Sequence, residues 1–378
     1  MPRLNFGAFL APHHPIGEHP MLQFRRDLDL VEHLDKLGYE EFWCGEHHSS
    51  GWETIGSPEM FLAAAGERSK RIKLGTGVVS LPYHHPYNVA QRMVQLDHMT
   101  GGRANAGFAR GYQRRWVDVM AQHTHGVQGV APHQHDAVDA ANRDAFEENF
   151  RIIKRCWTED MLQWEGKLWR IPVAGTPWTV EASSKYGKGI ENGIVRAVGV
   201  VPKPLQKPYP PLFQPFASSE SSIRWCAQEG VTAVLPPMHA KHETRLTELY
   251  AAESGRRAGD GVAFLRDIVI ADSDAEADHL WQESSRFMAQ AWFEPFGFRR
   301  LMIDPDTKVA PTPQEMIDLG YVLVGTVDTV CRRFESMLKR LPVEWIFFWA
   351  FNGLVPNAAI LRTVERWQTQ VLPKLGLA

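Results

Sequence analysis

Three stretches of sequence decide the fold: EEFWCGEHH at residues 40–48, RIKLGTGVV at 71–79 and RANAGFARGY at 103–112. Each is a short, largely apolar run typical of a β-strand, and each ends in glycine or in charged side chains. A helix-like segment at 86–99 separates the second from the third. Polar chemistry repeated at the C-terminal ends of strands, with helices between them, is typical of the active site of a (β/α)₈ barrel. The pattern therefore favours an enzyme.

The alternation of strand and helix patterns continues along the chain, which predicts a parallel sheet. Two long irregular segments interrupt it, and loops of such length usually cover a functional site. The sequence therefore predicts an α/β protein, a (β/α)₈ TIM barrel with long insertions after strands 4 and 7, as a single domain over residues 1–378. The predicted strands are 4–10, 41–45, 72–80, 104–109, 212–217, 231–235, 264–271 and 345–351.

Composition narrows the class of function. The chain has 378 residues and a formal net charge of -3, which leaves no basic footprint for nucleic acid or for an anionic membrane. It has no apolar run long enough for a signal peptide or a membrane span. Its four cysteines form no CxxC pair, which predicts free, buried thiols in a reducing cytosol. We therefore expect a soluble, cytoplasmic protein that binds neither nucleic acid nor membrane.

Two motifs are candidates for a metal or a nucleotide site. Glu46, His47 and His48 include common metal ligands, but neighbouring strand residues point to opposite faces and no helical HExxH spacing is present. The sequence therefore predicts no metal site. The glycines of the stretch 75–77 lack the third glycine and the following helix of a dinucleotide fingerprint.

Further motifs follow in a characteristic order: EHH at 46–48, SPE at 57–59, IKLGTG at 72–77, TGGR at 100–103, GFARG at 107–111, ASSESS at 217–222 and VGTVDTV at 324–330. Together they resemble the bacterial luciferase-like flavin-dependent monooxygenases, a family of (β/α)₈ barrels. The resemblance spans most of the barrel and is weakest in the two insertions.

The resemblance implies a two-component enzyme. A separate flavin reductase would supply reduced FMN, O₂ would add to it to give a peroxyflavin, and that species would oxygenate an apolar aldehyde, ketone or terpenoid-like compound. A homodimer is also expected. Two alternatives stay open: a deazaflavin-dependent oxidoreductase of the same fold, and a non-catalytic flavin-binding partner subunit. Retention of Glu46, His47 and Arg110 argues against the second alternative.

The resemblance also implies roles for individual residues. His47, with Glu46 beside it, would be catalytic, and the Gly77-Val78 backbone would face the flavin ring. Arg110 would bind the FMN phosphate, for which a guanidinium is well suited, together with Ser218, Ser219 and Ser222 at a helix N-terminus. Simpler roles stay open: a surface salt bridge for Arg110, a helix cap for Ser219, a structural hydrogen bond for His47 and tight barrel packing for Gly77.

Candidate substrate contacts lie in three places. His13 follows the first strand, Trp349 and Phe351 belong to the eighth, and Trp292 and Phe296 lie in the predicted loop 272–319. The aromatic residues of that loop are too apolar for a solvated connection. They predict either a lid over a hydrophobic substrate or an oligomer interface.

Overall fold

Eight parallel strands form a closed ring in the computed structural model, which describes residues 4–49, 51–131, 134–286, 290, 293–349 and 354–377. Each strand pairs with its two neighbours in chain order, and the last pairs with the first. The predicted (β/α)₈ barrel is therefore confirmed. The strands are β1 (Asn5–Leu10), β2 (Glu41–Cys44), β3 (Lys73–Thr76), β4 (Ala104–Ala109), β5 (Leu212–Pro215), β6 (Thr232–Leu235), β7 (Val262–Ile270) and β8 (Trp345–Phe348).

Helices cover the outside of the ring. The first three begin with proline, whose fixed φ suits the first helical position and whose missing N–H would have no helical partner there. Gly38, at φ 89°, ends the first helix in the left-handed conformation that glycine adopts readily. The helices are α1 (Pro20–Leu37), α2 (Pro58–Arg68), α3 (Pro86–Met99), α4 (Ala137–Thr158), α5 (Glu220–Glu229), α6 (Ala240–Ser254), α7 (Val327–Arg340) and α8 (Asn357–Arg366).

The barrel interior is filled by aromatic side chains. Trp43 of β2 is fully buried and lies 4.6 Å from Phe213 and 5.4 Å from Phe347, measured between ring centroids. A Cβ added to Gly75 would lie 2.4 Å from the Trp43 ring, so a neighbouring strand needs glycine to admit this side chain. The barrel is thus a packed core, and room for ligands is left only at its ends.

The structure corrects the predicted elements in two places. The third predicted strand, 72–80, breaks at Gly77 and resumes as the short strand Val79–Ser80, which pairs with the end of β4. An outer strand, Val322–Gly325, pairs with residues 267–270 of β7 beyond the point where β8 leaves it. The sequence did not predict the outer strand, because a four-residue apolar run cannot be distinguished from the start of a helix by periodicity.

Both predicted insertions are present. The first holds the helix Arg114–Met120, the short helix Glu181–Tyr186 and two small hairpins. The second holds the helices Asp274–Trp281 and Pro313–Asp318. All four cysteines are buried and free, as predicted. No helix in the described part of the chain is long and apolar enough to span a membrane.

Candidate active site

The loops after β1 and β2 bring two histidines onto one carboxylate. Oε1 of Glu53 lies 2.9 Å from Nε2 of His13 and also contacts Nδ1 of His47. The Glu53 side chain has no solvent exposure, and that of His47 is 13% exposed. With Nδ1 engaged by Glu53, Nε2 is the His47 nitrogen available to a ligand. Sequence reasoning missed Glu53, because it lies in a loop and belongs to none of the motifs.

Electrostatics fix the charge of this cluster. Burial alone would raise the pKa of Glu53, but the attraction of His47 and hydrogen bonds with both imidazoles hold that pKa at about 2. Burial lowers the pKa of His13, against the opposing influence of Glu53. Glu53 is therefore an anion and His13 a neutral ring at neutral pH. A buried carboxylate on Nδ1 holds an imidazole in one orientation and one tautomer.

Glu46 holds the loop that follows β3. Its carboxylate accepts hydrogen bonds from the Ser80 N–H at 2.8 Å, from Nε2 of His84 at 2.7 Å and from Nε2 of His48 at 3.1 Å. Burial opposes ionisation, but the attraction of His84 and these hydrogen bonds lower the pKa of Glu46 to about 2. The geometry gives Glu46 a positioning role next to His47, and the catalytic role of either residue stays a prediction.

The Gly77-Val78 backbone lies at the mouth of the barrel, between β3 and its continuation. The peptide bond between these residues is cis, and the Gly77 N–H donates to the Cys44 carbonyl at 2.6 Å. A Cβ at position 77 would lie 2.7 Å from the ring of Phe9, so tight packing accounts for the glycine. Contact between this backbone and a flavin ring stays a prediction.

Two guanidinium groups meet at the ends of β4 and β5. Arg110 donates from Nη1 to Oδ1 of Asp139 at 2.5 Å, and Arg143, one turn further along α4, donates from Nη2 to Oγ of Ser221 at 2.9 Å. Asp139, which contacts Arg110, lies one helical turn before Arg143, so the two cations are neighbours. Burial lowers the pKa of Arg143, and repulsion from Arg110 lowers it further. Ser221 lies in the first turn of α5, whose N-terminus attracts anions. The arrangement suits a phosphate group.

The serines named from the sequence lie at that helix start. Oγ of Ser219 accepts from the Ser222 N–H at 3.2 Å and caps α5, and Ser218 precedes it, half-buried. The simpler roles considered for Ser219 and Arg110, a helix cap and an ion pair, are thus both present in the structure. Arg143 was missed by sequence reasoning because its helix lies in the poorly recognisable insertion.

Aromatic side chains from the second insertion cover the barrel mouth. Phe293 lies 4.9 Å from Trp349 and 6.0 Å from His13, and Phe296 lies 5.1 Å from Tyr112 in the loop after β4. Trp349 in turn stacks on Phe9 at 5.6 Å. These contacts place the predicted substrate residues His13, Trp349 and Phe296 around one opening. Trp292 and Phe351 lie outside the described residues.

Three of these groups could also hold a metal ion. The ligand atoms of His13, His47 and Glu53 all lie within 4.8 Å of one another, and two imidazoles with one carboxylate form a common ligand set. From the sequence, a different trio was weighed as metal ligands: Glu46, His47 and His48. The expectation that the protein has no metal site stays a prediction.

A closed barrel with imidazole, carboxylate and guanidinium groups gathered at the C-terminal ends of its strands defines the class of protein: a (β/α)₈ barrel enzyme. The model of the luciferase-like monooxygenase family matches residues 4–344, and the chain belongs to this family.

Two relatives are similar over a short stretch. The 4-hydroxyprotoasukamycin monooxygenase of Streptomyces nodosus subsp. asukaensis is 65% identical over 111 residues, 29% of this chain and 30% of the relative. Limonene 1,2-monooxygenase of Rhodococcus erythropolis is 59% identical over 109 residues, 29% of this chain and 28% of the relative. The matches thus span about three tenths of the length of these proteins.

One solved structure is similar over nearly the whole chain. It is the oxygenating constituent of 3,6-diketocamphane monooxygenase from the CAM plasmid of Pseudomonas putida, a type II Baeyer-Villiger monooxygenase in complex with FMN. The TM-score is 0.76 at 20% sequence identity, and 98% of each chain is covered. At this identity the likeness shows the fold.

Proposed function

We propose that this protein is the oxygenase component of a two-component monooxygenase, which takes reduced FMN from a separate flavin reductase and uses O₂ to oxygenate an apolar aldehyde, ketone or terpenoid-like compound. The observation that supports this most is that one end of one barrel holds both a pair of guanidiniums beside a helix N-terminus and the His47–Glu53 pair. The names of the relatives support an apolar substrate.

The residues present fit FMN. Its phosphate would be held by Arg110 and Arg143 with the hydroxyls and first N–H groups of α5, since a dianion gains most from two guanidiniums at a helix N-terminus. Asp139 offsets part of this positive charge, because it already contacts Arg110. The flavin ring would lie toward the Gly77-Val78 backbone at the barrel mouth.

When bound, the reduced flavin supplies the electrons that activate O₂. The protein's part is to exchange a proton at Nε2 of His47, whose other nitrogen Glu53 holds. Glu46 keeps the backbone after β3 in place through the Ser80 N–H. Phe293 and Trp349 exclude water from the opening, which favours oxygenation over release of peroxide.

A flavin reductase is the partner that this function requires. The similar 3,6-diketocamphane monooxygenase has an oxygenating constituent of its own, which supports such a division of labour. The homodimer expected from the resemblance stays a prediction.

The test supplies the purified protein with reduced FMN from an added flavin reductase, under ¹⁸O₂, and offers a panel of apolar ketones, aldehydes and terpenes. The proposal expects a product that carries one oxygen atom from O₂, and no product when the reductase or FMN is omitted. Hydride transfer between a panel compound and an added oxidised deazaflavin, without O₂ and with no oxygenated product from the FMN mixture, would contradict it and would favour the deazaflavin alternative.

A further inference from the structure

A cavity of about 180 Å³ lies beside the active site, between the ends of β6, β7 and β8 and the second insertion. Its walls are mainly apolar and include Trp281, Phe298, Met316 and Val322. The candidate phosphate groups lie elsewhere, after β4 and on α4 and α5. This cavity, the chamber, lies apart from the candidate phosphate groups and adjoins the active-site opening at Phe293 and Trp349. It is larger than the roughly 150 Å³ apolar cavity that binds benzene in another protein.

Aromatic rings separate this chamber from the histidines. Phe293 lines the cavity on one side and lies 6.0 Å from the His13 ring on the other. Trp349 and Phe216 complete the wall, 5.6 Å from each other. Phe216 has φ 63°, a left-handed conformation that costs a bulky residue energy and that the surrounding structure must impose. A molecule in the chamber is thus one ring away from the His13–Glu53–His47 cluster.

The charged groups of the chamber favour a neutral ligand. Two carboxylates and two guanidiniums line it, Asp267 and Glu294 with Arg286 and Arg299, so their formal charges cancel. Glu294 and Arg299 pair with each other at 2.6 Å, and Asp267 accepts from the Trp281 indole at 3.4 Å.

Arg286 lines the chamber and has an unused hydrogen-bond donor. Its Nη1 donates to Gln282, whereas its Nε is buried and has no hydrogen-bond partner within the part of the chain that the structure describes. A buried donor without a partner costs free energy, which a ligand that accepts the hydrogen bond would recover.

We propose that this chamber binds the organic substrate: a neutral, compact ring compound that carries one hydrogen-bond-accepting oxygen, held by Arg286, with Phe293 at the boundary between the chamber and the opening that contains His47. This inference rests on the proposed function only in that it identifies the ligand of the chamber as the substrate. The site itself is independent of flavin, so the two can fail separately.

The first experiment locates the site without flavin. Crystals pressurised with xenon, and crystals soaked in norcamphor, are expected to show density between Trp281 and Val322, because xenon occupies apolar cavities of this kind. Density confined to other places, or none, would overturn the proposal.

The second experiment measures, in solution, how much the carbonyl group of a ligand contributes to its affinity. Headspace partition gives the affinity of the flavin-free protein for norcamphor and for norbornane, which has the same skeleton without the carbonyl. Wild type should bind norcamphor at least about tenfold more tightly than norbornane, and Arg286→Met should abolish that preference. Arg362→Met, on the exposed outer face of α8, is the matched control and should keep it.

Two variants, in different parts of the chain, place a larger side chain in the chamber. If one of them misfolds, the other still tests the proposal. Ala310→Phe and Met316→Trp should each weaken norcamphor binding at least about tenfold while FMN affinity stays unchanged. Met60→Trp, at a position 76% exposed on α2, is the control. A norcamphor affinity that neither substitution changes would overturn the proposal. Binding as expected without oxygenation of any ketone would instead count against the proposed function alone.

Discussion

Glu53 holds His47 from within the same loop: its carboxylate contacts Nδ1 of a histidine six residues earlier, and neither residue needs a second strand to meet the other. The same oxygen lies 2.9 Å from His13, which follows β1. One buried anion thus links two strand ends at the barrel mouth. If His47 moves a proton during oxygenation, Glu53 determines which of its nitrogens does so.

Glu53→Gln is therefore expected to keep FMN affinity and to reduce product yield about 10²-fold, with hydrogen peroxide released instead, since a positioned acid–base group contributes about 10²–10⁴-fold. The ratio of peroxide to product, measured across a pH series, checks this. Asp27→Asn, which removes the carboxylate that holds the neighbouring His14 at 2.7 Å, is the matched control and should stay coupled. An equal ratio of peroxide to product in Glu53→Gln and in wild type would show that Glu53 and His47 have only a structural role.

Arg143→Met should weaken binding of reduced FMN by a factor of about 10 to 100, because hydrogen bonds to charged groups contribute about 1.5–3 kcal/mol. Arg110→Ala should act in the same direction. Anaerobic titration with FMN and with riboflavin checks this, and riboflavin affinity should not change, since it lacks the phosphate. Arg151→Met, two turns further along α4 and more exposed, is the control. An equal loss for riboflavin would place the arginines away from the phosphate.

Asp139→Asn should have the opposite effect. The carboxylate contacts Arg110 at 2.5 Å, so it competes with a phosphate for the same guanidinium and repels the dianion. Removing its charge should tighten FMN binding severalfold and strengthen the salt dependence of that binding. Titrations at two ionic strengths measure both quantities. Weaker FMN binding in this variant would show that Asp139 supports the site by orienting Arg110.

Glu41→Gln tests a buried carboxyl at the bottom of the barrel. Burial raises the pKa of Glu41 from 4.5 to about 7, and its Oε2 accepts from the Trp43 indole at 2.9 Å. Between pH 4.5 and 7 the unfolded chain loses this proton while the folded protein keeps it, so stability falls as pH rises through that window. At pH 8 the variant should therefore be more stable than wild type by up to about 3 kcal/mol.

Urea unfolding at about pH 8 and at about pH 4.5 measures the effect on Glu41→Gln. The gain should shrink toward zero at the lower pH, where the carboxyl is largely protonated in both states. A variant less stable than wild type at the higher pH would show that the ionised carboxylate is accommodated in the folded barrel.

The barrel could be predicted from the sequence because its eight strands repeat one local pattern, an apolar run that ends in polar residues, as at Gly45 and Arg110. The motif residues Glu46, His47, Gly77 and Ser219 could be placed at strand ends for the same reason. Glu53 and Arg143 could not, because each gains its importance only from a tertiary contact, one through a loop and one from a helix of the first insertion.

The chamber beside β7 was likewise beyond sequence reasoning. Trp281 belongs to a helix of the second insertion and Val322 to a strand that was not predicted, and the two enclose a volume only once they pack together. The role of the predicted aromatic loop, as a lid or as an oligomer interface, stays a prediction. The aromatic partners of this loop, Tyr112 and Trp349, lie more than 200 residues apart in the sequence.

Oxygenase function is tested most directly by mixing the protein carrying reduced FMN with oxygenated buffer and following the flavin absorbance with time. We predict an oxygenated flavin species that outlives its counterpart in free solution, formed in wild type and shorter-lived in Glu53→Gln. Direct return to oxidised FMN at the rate of free flavin, identical in both proteins, would contradict the proposed function.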